Sequence, residues 1–255
     1  MIRELILFRL FFSLLPLLSF SPFCTYEPTF QIPSNILLDV LDFSADFLYE
    51  DLKRYIHPSD KVVILAFSYR DREVQNLRDW KILYGKSGGR YYDSMVSPFL
   101  RYGIPEDHIK WIDYYTDAKS KAAEQIRNAG ILYLPGGLPD RMMERIDEFN
   151  LRSTLLQFQG VVLGYSAGAL IQLQEYHLSP DQDYPEFTYF KGLSILKDFY
   201  LEVHYEDNTV QNEAIQRVLE ERRKIVYAMV TDRAAIVMDG SKVNFLGDVK
   251  IETIP

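Results

Sequence analysis

Cysteine is almost missing from the 255 residues: Cys24 is the only one, so no internal disulfide can form and no thiolate cluster can hold a structural metal. That composition fits a reducing, cytoplasmic compartment. Histidine is scarce as well. Its four residues, His57, His108, His177 and His204, are scattered without metal-ligand spacing, so neither a metal nor a cofactor is expected. Basic side chains are in deficit, 28 against 36 acidic ones for a formal charge of −8, and they form no long run. Phosphate backbones call for such a run, which removes nucleic acid from the expected partners. No apolar stretch reaches the roughly 20 residues that a membrane-spanning helix needs. A Pro/Ser-rich linker and an internal repeat are also lacking, which points to one domain over residues 1–255.

What is present is a globular balance, 47% hydrophobic and 25% charged, enough to build a core without staples. The first 24 residues are the compositional oddity. Two arginines precede the nearly continuous apolar run Leu10 to Phe20. Two readings are open: a buried first strand near Leu14 to Ser21, or a secretory signal that would send the protein out of the cell. Pro16 inside the run and Pro22 just after Ser21 oppose the signal.

Further along, strand-like and helix-like segments alternate. A helix is predicted over Ser34 to Tyr55, then a buried strand over Lys61 to Phe67. The glycine-bearing stretch Asp71 to Gly89 reads as partly loop. Helices over Tyr91 to Tyr102 and Lys119 to Asn128 flank a short strand at His108 to Tyr114. Strands at Gly130 to Leu134 and Gly160 to Gly164 enclose more helix, reaching about Phe158. Beyond Gly192 short apolar runs crowd together: Phe199 to Tyr205, Ile225 to Val230, Ala234 to Met238 and Lys242 to Phe245, with one helix at Val210 to Arg223. Asp239-Gly240 is a hairpin turn signal between the last two. The expected fold is α/β, a mostly parallel sheet with helices on both faces and extra C-terminal strands.

The strongest chemical signal is the apolar strand Gly160 to Gly164 running into Gly164-Tyr-Ser166-Ala-Gly168, with helix expected over Ala169 to Glu175. A Gly-x-Ser-x-Gly turn between strand and helix is the context of a nucleophile elbow, and small neighbours let the chain turn sharply so that the hydroxyl of Ser166 projects. The Ala167 amide then points at a developing oxyanion. Serine needs a base. His57 and His108 lie upstream in a turn and at a strand start. His177 falls at the end of the expected helix and points away from the elbow. His204, at the carboxyl end of a strand, is the candidate base. Leu132-Tyr-Leu-Pro135-Gly136-Gly137 ends another strand in a glycine pair, so Gly137 can bring a second backbone N–H to the oxyanion.

A strand ending in Gly-Gly, a Gly-x-Ser-Ala-Gly elbow and a histidine at a strand end together resemble peptidase E and cyanophycinase, from about Lys61 to Phe245. The resemblance implies a serine peptidase on a class I glutamine amidotransferase-like fold, acting on small peptides, with Ser166 as nucleophile, His204 as base and Gly137 with Ala167 as oxyanion hole. It also implies an acidic third member some 15 residues after the serine. Asp181 has that spacing, Asp183 sits in the better local match Asp183-Tyr-Pro185, and Glu186 is a more remote option. Three departures stand out. Leu138 replaces an asparagine after the glycine pair, Glu202-Val-His204-Tyr205 replaces Asp-x-His-Phe, and Glu206-Asp207 stand where arginines are usual. The family's aspartyl specificity is therefore not expected here, and loop cations such as Arg70, Arg72 or Arg141 would be needed to restore it.

An amidotransferase proper would use cysteine, and Cys24 is misplaced for that. An α/β-hydrolase esterase shares the order serine, acid, histidine, but only 38 residues separate Ser166 from His204. A non-catalytic binding relative of the same fold is the third reading. The oligomeric state, monomer or dimer, is left open.

Overall fold

The computed structural model describes residues 34–254, so the apolar run at 1–24 lies outside the described residues. The segment predicted as one helix from Ser34 divides in two. Ser34–Leu38 forms the strand β1 and Asp46–Leu52 the helix α1. The reason lies in burial: Ile36, Leu37 and Leu38 are all fully buried, and three consecutive buried residues suit a strand covered on both faces. β1 runs parallel to β5 (Val161–Tyr165) on one side and antiparallel to β9 (Ile225–Asp239) on the other.

Most of the remaining elements follow the predicted alternation with adjusted bounds, while the strand pair Glu175–Leu178 and Thr188–Lys191 falls where no strand is expected. The elements before β5 are β2 (Val62–Ile64), α2 (Leu77–Tyr84), α3 (Tyr92–Arg101), β3 (Ile109–Trp111), α4 (Lys119–Arg127), β4 (Ile131–Leu134), α5 (Pro139–Glu148) and α6 (Arg152–Leu156). After β5 come α7 (Ala167–Leu170), β6 (Glu175–Leu178), β7 (Thr188–Lys191), β8 (Phe199–Tyr205), α8 (Thr209–Arg222), β9 and β10 (Lys242–Glu252). α2 fills part of the stretch read as loop. Asn76 caps it, its side chain accepting the N–H groups of Arg78 and Asp79.

The sheet runs β10-β9-β1-β5-β4-β2-β3, with β8 also paired to β9. Its centre is parallel, while β9 and β10 add an antiparallel hairpin turning at Asp239-Gly240. The two apolar runs predicted at Ile225 and Ala234 are one long strand. Its first part pairs with β8 and its second with β1, and Asp232 at the join has a left-handed φ of 56°. β9 therefore lays β8 and β1 end to end along one neighbour.

Strand alternation splits the core into two layers. Leu37, Val63, Leu132 and Val162 face Ala122 and Ile126 of α4 and Met142 and Ile146 of α5. Ile36, Ile64, Tyr133 and Leu163 face Leu48 of α1, Trp80 of α2 and Phe99 of α3. A smaller cluster packs Ile215, Val218 and Leu219 of α8 on Tyr200 and Val226. Each fully buried aliphatic side chain adds roughly 2 kcal/mol. Helices thus cover both faces and leave the carboxyl edge of the parallel strands open.

Candidate active site

β5 ends in Tyr165, and the chain turns at Ser166 with φ 50° and ψ −109°. A non-glycine residue there is strained by roughly 1–3 kcal/mol and persists only where its surroundings hold it. Two contacts do so. The Ser166 N–H donates to Leu38 O of β1 at 3.0 Å, and Gly168 lets α7 press against β4, where a Cβ would stand 1.8 Å from Leu134 O. α7 has four residues, starting and ending earlier than the helix read over Ala169 to Glu175. A helix that short has little dipole, and what it offers the cleft is the N–H of Ala167 at its first position.

His204 lies in β8 where the pairing with β9 slips between Glu202 and Tyr205, and its own φ is 53°. This bulge turns the imidazole towards the elbow, with Nε2 2.7 Å from Ser166 Oγ. The other ring nitrogen, Nδ1, lies 3.0 Å from Asp39 Oδ1. Asp39 follows directly on β1 and is fully buried, and its two oxygens also accept the backbone N–H of His204 at 3.1 and 3.0 Å. Its own backbone is clamped to the β9 join, by Asp39 N to Ala234 O at 3.0 Å and Asp232 N to Asp39 O at 2.9 Å. Nδ1–H donating to the carboxylate leaves Nε2 free to accept from the serine hydroxyl. Burial opposes the charged ring, yet the hydrogen bond and charge of Asp39 outweigh it and raise the pKa of His204 above its ordinary value.

The glycine pair sits beside the elbow. A Cβ on Gly136 would stand 3.3 Å from Ser166 Cβ. Gly137 has φ 136°, and a Cβ there would lie 2.3 Å from Ser68 O, so only glycine fits. Ser68 fixes this strap: its hydroxyl donates to Gly136 O at 2.5 Å and its carbonyl accepts Leu138 N–H at 2.7 Å. Ser166, His204, Gly137 and Ala167 all line one cleft of about 460 Å³.

The acids expected from spacing do not bond to the imidazole. Asp181 Oδ1 accepts the N–H groups of Asp183 and Tyr184 at 2.8 and 2.7 Å, a turn-forming role. Asp183 is gripped by Arg70, through Nε at 3.0 Å and through Nη2, and these bonds hold its carboxyl below the usual range. Glu186 is exposed. The carboxylate against His204 is Asp39, missed because its strand reads as the start of a helix. An apolar triplet ending in an acid, Ile36-Leu-Leu38-Asp39, was the available signal.

His177 is in a strand rather than a helix. It is buried with Nε2 2.7 Å from Glu202 Oε2, to which Ser179 Oγ also donates at 2.7 Å. Glu202 therefore faces this buried cluster, and Asp207 is bound to Tyr205 and Lys250. The sequence places Glu202, Glu206 and Asp207 within three residues of His204 and so suggests an acidic cluster around it, but none of the three lines the cleft with Ser166. Arg145 of α5 gave no signal. It is buried, donates to the carbonyls of Phe67 and Tyr69, and lies 3.6 Å above the Tyr69 ring. It thereby props the segment bearing Ser68 and Arg70.

Among the described residues no helix is long and apolar enough to cross a membrane, and no group of three His, Cys, Asp or Glu is placed to hold a metal. No curated protein sequence matches the chain significantly. Two solved structures are similar in fold. A Listeria monocytogenes EGD-e protein described as a peptidase E superposes with a TM-score of 0.58 at 16% identity, over 85% of this chain and 99% of its own. A peptidase from an acI-B1 Actinobacterium gives 0.54 at 16% identity, over 88% and 95%. The model of peptidase family S51 matches residues 89–246, well over half of the chain and including the elbow and His204. With that match and this architecture, the chain belongs to peptidase family S51 and is a serine-type peptidase.

Proposed function

We propose that Ser166 attacks a small peptide, with His204 as general base, Asp39 as the group that orients it, and the N–H groups of Gly137 and Ala167 as oxyanion donors. One observation carries this reading: an unbroken path from buried Asp39 through His204 to Ser166 Oγ, with steps of 3.0 and 2.7 Å. As Oγ attacks the carbonyl carbon, its proton passes to His204 Nε2. The imidazolium so formed is balanced by Asp39, which stays ionised. The carbonyl oxygen gains the negative charge and meets the two backbone donors. His204 then returns the proton to the leaving amine, and water repeats the sequence on the acyl-enzyme.

The cleft suits a ligand of a few residues rather than a folded protein. A reducing, cytoplasmic setting agrees with the single cysteine. The test is labelling with a fluorophosphonate probe followed by a dipeptide screen. Wild type is expected to label and Ser166→Ala not to; equal labelling of the two would remove Ser166 as nucleophile.

A further inference from the structure

Among the described residues the charged side chains lining the cleft, apart from His204, are Arg70, Glu73, Asp181 and Asp183, one guanidinium against three carboxylates. The guanidinium is already engaged. Asp183 meets its Nε and Nη2 edge with both oxygens, the two-point geometry an incoming carboxylate would need. Arg72 approaches the same oxygen, Oδ1, at 3.8 Å from the solvent side.

Asp183 is not a loose surface partner that a substrate would simply brush aside. Its backbone is folded into a tight turn by Asp181, whose side chain accepts two N–H groups and whose own N–H donates to Tyr184 O at 2.8 Å. Tyr184 in turn donates its hydroxyl to Asp140 at the start of α5, beside the Gly136-Gly137 strap. The turn therefore presents the carboxylate to Arg70 ready placed, with little ordering entropy left to lose. An acidic substrate side chain would have to displace it and would then face the three carboxylates.

Resting on the Ser166 reading above, we propose that Asp183 is the specificity-determining residue of the cleft. By occupying Arg70 it bars acidic side chains and leaves a cleft that accepts uncharged and cationic ones. Five tyrosines, at 69, 84, 91, 165 and 184, line the same space. They offer ring faces to apolar side chains and to cations alike.

Peptidyl diphenyl phosphonates carrying an aspartate, asparagine or lysine side chain next to phosphorus test this without knowledge of the natural substrate. The readout is the ratio of second-order labelling rates. In wild type the aspartate probe is expected at least about tenfold slower than its asparagine isostere, a factor equal to about 1.4 kcal/mol. Asp183→Ala frees Arg70 and raises the aspartate-to-asparagine ratio about tenfold or more. Arg70→Gln leaves Asp183 with only the more distant Arg72 and raises the lysine-to-asparagine ratio about fivefold, an arm that decides the matter by itself should Asp183→Ala not fold. Ratios that do not move in a folded variant, or a wild type that prefers aspartate, would overturn the assignment. A wild type that reacts with neither these probes nor a plain fluorophosphonate would bring down the Ser166 reading, and this one with it.

Discussion

Asp39 is fully enclosed, and both its oxygens are spent on His204, through the ring and through the backbone N–H. A buried carboxylate with that set of partners fixes the tautomer that can accept a proton from Ser166. Replacing it by Asn keeps the volume but offers an amide that can hold the wrong tautomer. Asp39→Asn is expected to lower the rate of fluorophosphonate labelling about 10³- to 10⁴-fold. Asp181→Asn and Glu186→Gln are expected to cost far less, since those side chains do not touch the imidazole. The sign of the pH effect follows from the same contact. With His204 as the proposed base, the reaction needs the ring neutral, and Asp39 raises its pKa, so in wild type activity is expected to fall on acidification through a midpoint above the ordinary 6.5. In Asp39→Asn the residual activity keeps its acidic limb at lower pH. A limb that stays in place when labelling is followed from pH 5 to 9 would show that the charge on Asp39 does not tune the base.

Two short elements hold the reacting groups through backbone contacts. The elbow depends on α7 touching β4 at Gly168, where the obstructing atom is a backbone carbonyl that cannot rotate away. Gly168→Ala is therefore expected to destabilise by about 3 kcal/mol or more. In a chain of this size that lowers Tm by roughly 10 °C, measured by thermal denaturation. The stretch from Phe67 to Arg70 hangs on Arg145, which binds two of its carbonyls from within the core. Arg145→Met leaves those carbonyls without this donor, at a cost of about 2–4 kcal/mol. It also loosens Ser68 under the Gly136-Gly137 strap, so labelling slows along with the loss of Tm. A full loss of stability with an unchanged labelling rate would show that the strap is held by other contacts.

Across residues 34–254, the large sheet is covered by two separate apolar layers, and its central strands are enclosed on both sides. β1, β4 and β5 consist almost entirely of buried residues, whereas β10 has no residue in the buried class. Amide hydrogen exchange is expected to be slowest in those three strands and faster in β10 and in the β6–β7 hairpin, which pairs only with itself. Mass-spectrometric exchange on the intact protein would check the order. Equal protection of β10 and β1 would mean that an exposed face is covered in solution. The site gains from this arrangement, because Ser166, Asp39 and the glycine strap all follow directly on protected strands.

Most of the order of strands and helices was legible because apolar runs, turn residues and hairpin signals are local properties, though the β6–β7 pair was not. So were the turn at Ser166, the glycine pair and the strand-end position of His204, each carried by neighbours within a few residues. The helix read from Ser34 was wrong because a short apolar run has no period of its own; only burial between β5 and β9 makes Ser34–Leu38 a strand. With that strand misread, nothing local could mark Asp39, 165 residues from His204 in the chain. Asp183, by contrast, has the right sequence surroundings for a triad acid yet is turned onto Arg70. Local residue order determined which elements form and which side chains are chemically apt. Which carboxylate meets the imidazole was decided only when the bend in β9 laid β1 and β8 along one strand, because a contact between distant residues is set by topology and not by spacing.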